Sequence, residues 1–304
     1  MNLPFFTIVI PTYRRPSLLV TCLQSLARLD YPPDCFEVVV VDDGSGVPQD
    51  DIVYPFHSHL NLVFLKRPHN GPAAARNYGA AKAKGQYLAF IDDDCAPAPN
   101  WLQALSTCFS DSPDCAIGGR TINALEKNPY STVSQMIVDY FYRRFNSDPS
   151  NARFFTSNNL AFPSRRFHSI GGFDTSFRLA AAEDRDICDR WLQHGYRMIY
   201  VPEALVYHSH SLTCRSFWKQ HFNYGRGAFS FHRGRAQRSR GAIRAGSPRL
   251  YCNLLFDKCP GAKGETAVLL ALLRAVSQIA NTAGFCWEAV QRRGETRNCL
   301  NRRL

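Results

Sequence analysis

The stretch Tyr87-Leu-Ala-Phe-Ile-Asp92-Asp93-Asp94-Cys95 limits the folds open to this chain more than any other, because an unbroken apolar run stops abruptly at three consecutive carboxylates. A short run of this kind, followed by Pro97 and Pro99, predicts a strand buried on both faces, as in a parallel sheet covered by helices. Three adjacent carboxylates repel one another unless something holds them. On an extended strand Asp92 and Asp94 point to one side and Asp93 to the other, so the alternate pair can share a hard divalent cation, Mg2+ or Mn2+. The competing reading is a solvated acidic turn ahead of a helix, with Asn100 as N-cap and Trp101, Leu102, Leu105 and Phe109 as the buried face.

The same arrangement occurs earlier in the chain. Phe6–Ile10 reads as a strand, Pro11-Thr-Tyr-Arg-Arg-Pro16 as a turn, and Leu18, Leu19, Cys22, Leu23, Leu26 and Leu29 recur at helical spacing, which makes the start of a βαβ unit. The run Phe36–Val41 leads straight into Asp42-Asp43-Gly44-Ser45. Acids again fall at a strand's carboxyl end, where open α/β sheets bind ligands. A third strand, Leu62–Leu65, precedes Asn70-Gly71-Pro72-Ala-Ala-Ala-Arg76-Asn77, which suits a helix N-terminus facing phosphate. Neither Gly-x-Gly-x-x-Gly after the first strand nor a Gly-x-x-x-x-Gly-Lys-Ser/Thr loop occurs, which disfavours dinucleotide and P-loop chemistry.

Taken in order, Pro11-Thr-Tyr-Arg-Arg, Val41-Asp-Asp-Gly-Ser, Asn70-Gly-Pro-Ala-Ala-Ala-Arg-Asn and Phe90-Ile-Asp-Asp-Asp resemble the nucleotide-sugar half of the family 2 glycosyltransferases, which have the GT-A fold. The likeness continues through Ser157-Asn-Asn-Leu-Ala-Phe162, Ile170-Gly-Gly-Phe-Asp174 and Glu183-Asp184 to Tyr207-His208, and so covers roughly residues 5–225. It implies an α/β GT-A domain over 1–225, with a nucleotide-sugar half 1–120 and an acceptor half 121–225. It implies inverting, metal-assisted hexosyl transfer from a nucleotide-sugar donor to a glycan or lipid-linked acceptor. By position, the donor would meet Pro11, Thr12, Tyr13, Arg15, Asp43, Asn70, Arg76, Asp92 and Asp93. Asp92, Asp94 and His208 would hold Mg2+ or Mn2+, and Asp184 would be the base with Glu183 as its acceptor-side companion.

The residues allow other readings at several of these points. Glu183-Asp184 opens a helix with apolar face Ile187, Cys188, Trp191 and Leu192, ending at Gly195, and acids in a first turn simply complement the dipole. The same dipole keeps a carboxylate ionised and able to take a proton from a hydroxyl. Asn158 and Asn159 offer hydrogen bonds to acceptor sugar hydroxyls, or else sit in a turn. Val133–Phe145 reads as a helix, and Phe154–Phe162 and Arg197–Val201 as strands. The two glycines of Gly171-Gly172 read as backbone devices. His210 would share a side with His208 on an extended segment, so the two remain open alternatives as the metal ligand. Arg226, between two glycines, is a further candidate for the diphosphate.

Charge divides the chain. Residues 1–225 hold 21 basic and 21 acidic side chains, whereas 226–304 hold 15 and 4, so the tail carries the whole net charge of +11. Arg233, Arg235, Arg238, Arg240, Arg244 and Arg249 precede Thr266-Ala-Val-Leu-Leu-Ala-Leu-Leu-Arg274, an apolar run short of the ~20 residues a spanning helix needs, with Ser277, Gln278 and Asn281 beyond it. The expectation is an interfacial helix on an anionic membrane surface, with a helix packed on the body as the alternative. The neutral, acid-bearing body argues against nucleic acid as a partner. Eleven irregularly spaced cysteines without Cys-x-x-Cys predict reduced thiols, and Phe5–Ile10 is too short for a signal core, so the chain is expected to be cytoplasmic, peripheral on the membrane's inner face.

Overall fold

The computed structural model describes residues 3–177, 179, 181–243, 253–255, 257 and 264–301, with side chains as far as 292. Arg244 and Arg249 lie outside the described residues. Strands β1 (Phe6–Thr12), β2 (Phe36–Asp42) and β4 (Tyr87–Phe90) are buried throughout, and with β3 (Leu62–Lys66) they pair in parallel in the order β3-β2-β1-β4. Strand alternation splits their side chains between two layers. Ile8, Ile10, Val38 and Val40 pack with Leu19, Leu23 and Trp101, which belong to α1 (Pro16–Leu26) and α4 (Trp101–Asp111). Val39 and Val41 meet Ala75 of α3 (Pro72–Ala80) on the opposite face, with the short α2 (Asp50–Val53) between β2 and β3 in sequence. Helices therefore cover both faces, as the largely apolar runs require.

The sheet extends from β4 through four more strands. Antiparallel β7 (Leu160–Pro163) pairs with β4 and with β6 (Ala116–Asn123), and β6 runs parallel to β8 (Met198–His208), whose other neighbour is antiparallel β5 (Cys95–Pro97). This eight-stranded mixed sheet with its helices is the α/β architecture predicted from the GT-A resemblance. Two predicted strands are corrected. Within Phe154–Phe162 only the end is strand: Ser157–Asn159 form a 3-10 turn, because their side chains bind inward to neighbouring groups instead of leaving the backbone extended. Arg197–Val201 and Val206–His208 are one strand, β8, interrupted by a register shift opposite Gly119/Arg120.

Helices α5 (Pro129–Phe145), α6 (Ser164–Ser169) and α7 (Glu183–Gln193) intervene, and α8 (Cys214–Arg238) and α9 (Gly264–Asn301) follow the sheet. The chain forms two compact units. One comprises Met1–Leu125, Phe141–Arg178 and Asp184–His210; the other comprises Glu126–Tyr140, Leu179–Glu183 and Ser211–Leu304. All eight strands lie in the first. The change of charge at 226 is not a structural boundary, because it falls inside α8, which runs on without a break. The apolar run of the tail is likewise not as short as the sequence suggested: α9 continues past Ser277, Gln278 and Asn281, and Gly264–Arg292 is long and apolar enough to cross a membrane by length and composition.

Candidate active site

Asp92, Asp93 and Asp94 lie in the turn between β4 and β5, not on a strand, so the period-two alternation expected of them does not hold. The turn aims each carboxylate separately. Asp92 accepts a 2.6 Å bond from Arg76 Nη2, and that buried guanidinium reaches it from α3. Asp93 is fully buried, accepts from Thr12 Oγ1 at 2.7 Å, and lies 3.0 Å from Arg15 Nη2. Asp94 receives the other arm of Arg15 at 2.7 Å and faces His208 Nε2 at 3.2 Å and His210 Nδ1 at 3.9 Å. One guanidinium thus bridges Asp93 and Asp94, where the sequence reading had paired Asp92 with Asp94.

Sheet register explains how a histidine more than a hundred residues later arrives here. Antiparallel pairing sets Cys95 directly opposite His208, and Ser209 N donates to Asp94 O at 2.8 Å, so the end of β8 is stitched to the acidic turn. Ligand atoms of Asp94, Cys95 and His208 all lie within 4.8 Å of one another, a set that among the described residues could hold a metal ion. Burial drives the Cys95 thiol well above its usual pKa, and the neighbouring carboxylates push it the same way. A protonated thiol is no ligand for a hard cation, which leaves Asp94 oxygen and His208 nitrogen as donors. That pair fits Mn2+ better than Mg2+.

The electrostatics distinguish the two histidines. Burial pulls His208 down, but the charge and hydrogen bond of Asp94 outweigh it and leave its pKa raised. His210 is pushed down to about 4, by burial first and by the charge on His208 second. Asp94 is held well below the usual carboxylate range: burial opposes ionisation, and His208 and Arg15 overcome it. Asp93 goes the other way, to about 7, because its burial exceeds the relief from Arg15 and Asp94 repels it.

A second cluster forms at the end of β2. Asp43 accepts from the backbone N–H groups of Asn70 at 3.2 Å and Gly71 at 2.8 Å, has His69 Nδ1 at 2.9 Å from its carboxylate, and lies 3.6 Å from Arg67 Nε. The His69 ring stacks on Tyr13 at 4.3 Å with 23° between planes, and the Arg14 guanidinium lies over the Tyr13 ring 5.0 Å from its centre. Pro11 and Thr12 end β1 beside this ledge, with Asp43 N donating to Thr12 O. Donors, a carboxylate and stacked rings at one strand end make a surface for a planar, hydrogen-bonding group. His69 and Arg67 were missed by the sequence reading, although they adjoin Asn70-Gly71-Pro72 and that adjacency was the available signal.

Asn159 is not placed to meet an acceptor. Its Oδ1 accepts from Trp101 Nε1 at 2.9 Å, and its Nδ2 donates to Arg120 O at 3.0 Å and Ala204 O at 2.8 Å, so the amide is consumed inside the fold at the β6–β8 register shift. Asn158 is buried too, and its Oδ1 accepts from Thr156 at 2.7 Å and Thr121 at 3.4 Å. Gly171 and Gly172 have φ of 83° and 65°, the backbone role expected of them, and Asn77 bonds both backbone groups of Phe173 beyond them. Glu183 is buried and Asp184 half-buried at the start of α7, where the helix dipole favours ionised carboxylates. Arg226, the further candidate for the diphosphate, has its Nε bound to Glu288 at 2.8 Å within the second unit.

Comparison with known proteins gives a consistent picture. The sequence model of glycosyl transferase family 2 matches residues 7–171. The pre-mycofactocin glycosyltransferase of Mycobacterium tuberculosis is 33% identical over 226 residues, 72% of this chain and 46% of that protein. The validoxylamine A glucosyltransferase of Streptomyces hygroscopicus subsp. limoneus is 28% identical over 231 residues, covering 67% of this chain and 51% of its own length. The chain thus spans about half the length of these curated relatives. Among solved structures, the mannosyltransferase PcManGT from Pyrobaculum calidifontis, in complex with GDP-Man and Mn2+, superimposes with a TM-score of 0.65 at 19% identity, over 95% of this chain and 88% of that one.

Proposed function

The chain belongs to glycosyl transferase family 2, and on that premise we propose that it transfers a hexose from a nucleoside diphosphate sugar to an acceptor hydroxyl with inversion at the anomeric carbon. What carries the reading is that the Asp43 cluster and the Asp92–Asp94 turn, on which His208 closes, both lie at the carboxyl ends of parallel strands, β2 and β4, on either side of β1. In this reading the donor base lies against Tyr13, His69 and Asp43, and the diphosphate runs toward Arg15 and Arg76. Asp94 and His208, with Asp92 adjoining, would hold Mg2+ or Mn2+. A divalent ion there would offset charge on the departing diphosphate and disfavour its return.

Charge supports a role for such an ion. With Asp93 inclined to keep its proton, Asp92 and Asp94 against Arg15 and Arg76 leave the turn near neutrality, so the two guanidiniums have little charge to spare for a diphosphate and a divalent ion would supply it. Asp184, at the head of α7, is the base that takes the acceptor hydroxyl's proton in this reading, with Glu183 beside it on the acceptor side. The acceptor is proposed to be a glycan or lipid-linked saccharide of cell-surface glycan or glycolipid synthesis, reached from the cytoplasmic side.

Hydrolysis of a panel of nucleotide sugars, with Mg2+ and with Mn2+, tests this directly. One donor should turn over and stop doing so in excess chelator. Full turnover in chelator would remove the metal from the proposal. Failure of every donor, together with salt-sensitive retention of RNA, would instead favour nucleic-acid binding.

A further inference from the structure

Helix α9 has its polarity reversed. Arg274, Ser277 and Glu288 are 2%, 0% and 6% exposed, whereas Val268, Leu269, Leu272, Ile279, Trp287 and Val290 are 44–68% exposed. At 3.6 residues per turn those six apolar side chains fall in one stripe about a third of the circumference wide, continued by Ala283 and Cys286. A helix at a water-facing surface has its polar residues outward.

The buried polar face is bonded internally. Glu288 accepts from Arg226 Nε of α8 at 2.8 Å and from Arg292 Nε at 3.0 Å, and Arg274 Nη1 donates to Asp257 O at 2.6 Å. Two glycines let the helices close: a Cβ on Gly225 would come within 1.8 Å of Asn281 O, and one on Gly284 within 1.9 Å of Phe222 O. So α8 seals the polar side of α9 and leaves the apolar side outward.

We propose that this stripe is a membrane-docking surface that lies in the plane of an anionic phospholipid leaflet, with its apolar side chains among the acyl chains. Charge selects this occupant. Residues 226–304 carry 15 basic and 4 acidic side chains, with Arg233, Arg235 and Arg238 in the last turns of α8. A second copy on the same stripe would bring two strongly basic surfaces together, whereas anionic headgroups complement them. Crossing the bilayer is disfavoured although α9 is long enough, because its polar face is closed against α8, whose Arg215, Lys219 and Arg226 would be carried into hydrocarbon. Lying flat, the pair keeps α8 in the headgroups and places Trp287 at the interface, where aromatic rings are favoured. The surface stands independently of the donor or the reaction.

The test uses the full chain and sedimented vesicles of phosphatidylcholine alone or mixed with equal phosphatidylglycerol. Binding is expected to the mixed vesicles, weakened by salt, and to fall roughly a hundredfold in Leu272→Asp/Ile279→Asp, which puts two carboxylates where aliphatic groups would be buried. In the unaltered chain, brominated lipids should quench the part of the tryptophan emission that Trp287→Phe removes. No vesicle binding by the unaltered chain overturns the proposal, as does equal binding by the double variant with its helicity intact. A lipid-free dimer that the double variant dissociates would instead make the stripe a contact between copies and also overturn it.

Discussion

Replacing Asn159 by alanine separates two roles that sequence reasoning could not. The side chain holds the Trp101 indole N–H and the Arg120 and Ala204 carbonyls, all at 2.8–3.0 Å and buried. Each buried polar group left without a partner costs about 1–3 kcal/mol, and a water entering the vacated space recovers some of it, so the expected loss is about 3–5 kcal/mol. For a cooperative unit of this size that corresponds to a midpoint roughly 10 °C lower. Functional consequences should follow from the same bonds. The register shift that Asn159 braces lies on β8, and β8 delivers His208 to Asp94. Thermal unfolding by circular dichroism measures the first effect, and donor hydrolysis titrated with Mn2+ at low temperature measures the second. Asn159→Ala should both unfold earlier and need more Mn2+ for half activity. Asn159→Asp should do no better, since it keeps the acceptor for Trp101 but sets a carboxylate against two carbonyls. A midpoint within about 2 °C of the unaltered chain, with only acceptor-dependent turnover impaired, would refute the reasoning and restore Asn159 to the acceptor.

Other substitutions address the chemistry. Asp184→Asn is expected to leave donor binding nearly intact and lower kcat by about 10²–10⁴, the span of a positioned base, whereas near-normal turnover would move the base elsewhere, with Glu183 tested next. His208→Ala should raise the Mn2+ concentration for half activity more than His210→Ala does, since His208 is nearer Asp94; the reverse order would give the role to His210. Asp93, held at about 7 by burial, keeps in the folded state a proton that the unfolded chain releases near pH ~4. Its contribution therefore disfavours folding increasingly as pH rises between those values, so Asp93→Asn should gain in urea midpoint relative to the unaltered chain between about pH 4 and about pH 7 in chelator, and hold that gain above. Parallel curves would mean that the carboxyl is not protonated as described.

The central fold and the location of the site were legible in the residues because both depend on local pattern. Phe6–Ile10, Phe36–Val41 and Tyr87–Phe90 are apolar at every position but Thr7 and Glu37, which bond to each other inside the fold, and such runs mark strands covered on both faces; the polar residues that end them mark the binding edge of such a sheet wherever the strands come to lie. Ordered motifs then narrowed the family. What sequence could not decide were relations fixed by pairing between distant segments. The side to which Asp93 points depends on a turn at the end of β4, and the nearness of His208 to Asp94 depends on Cys95 meeting His208 across an antiparallel ladder. Asn159 reads as an acceptor contact or a turn residue until the β6–β8 register shift gives its amide two carbonyls to hold. In the tail, composition alone announced a basic region with an interrupted apolar run. Only the packing of α9 on α8 shows that its polar residues interrupt nothing, because helical periodicity gathers them on the buried side and leaves the apolar side continuous.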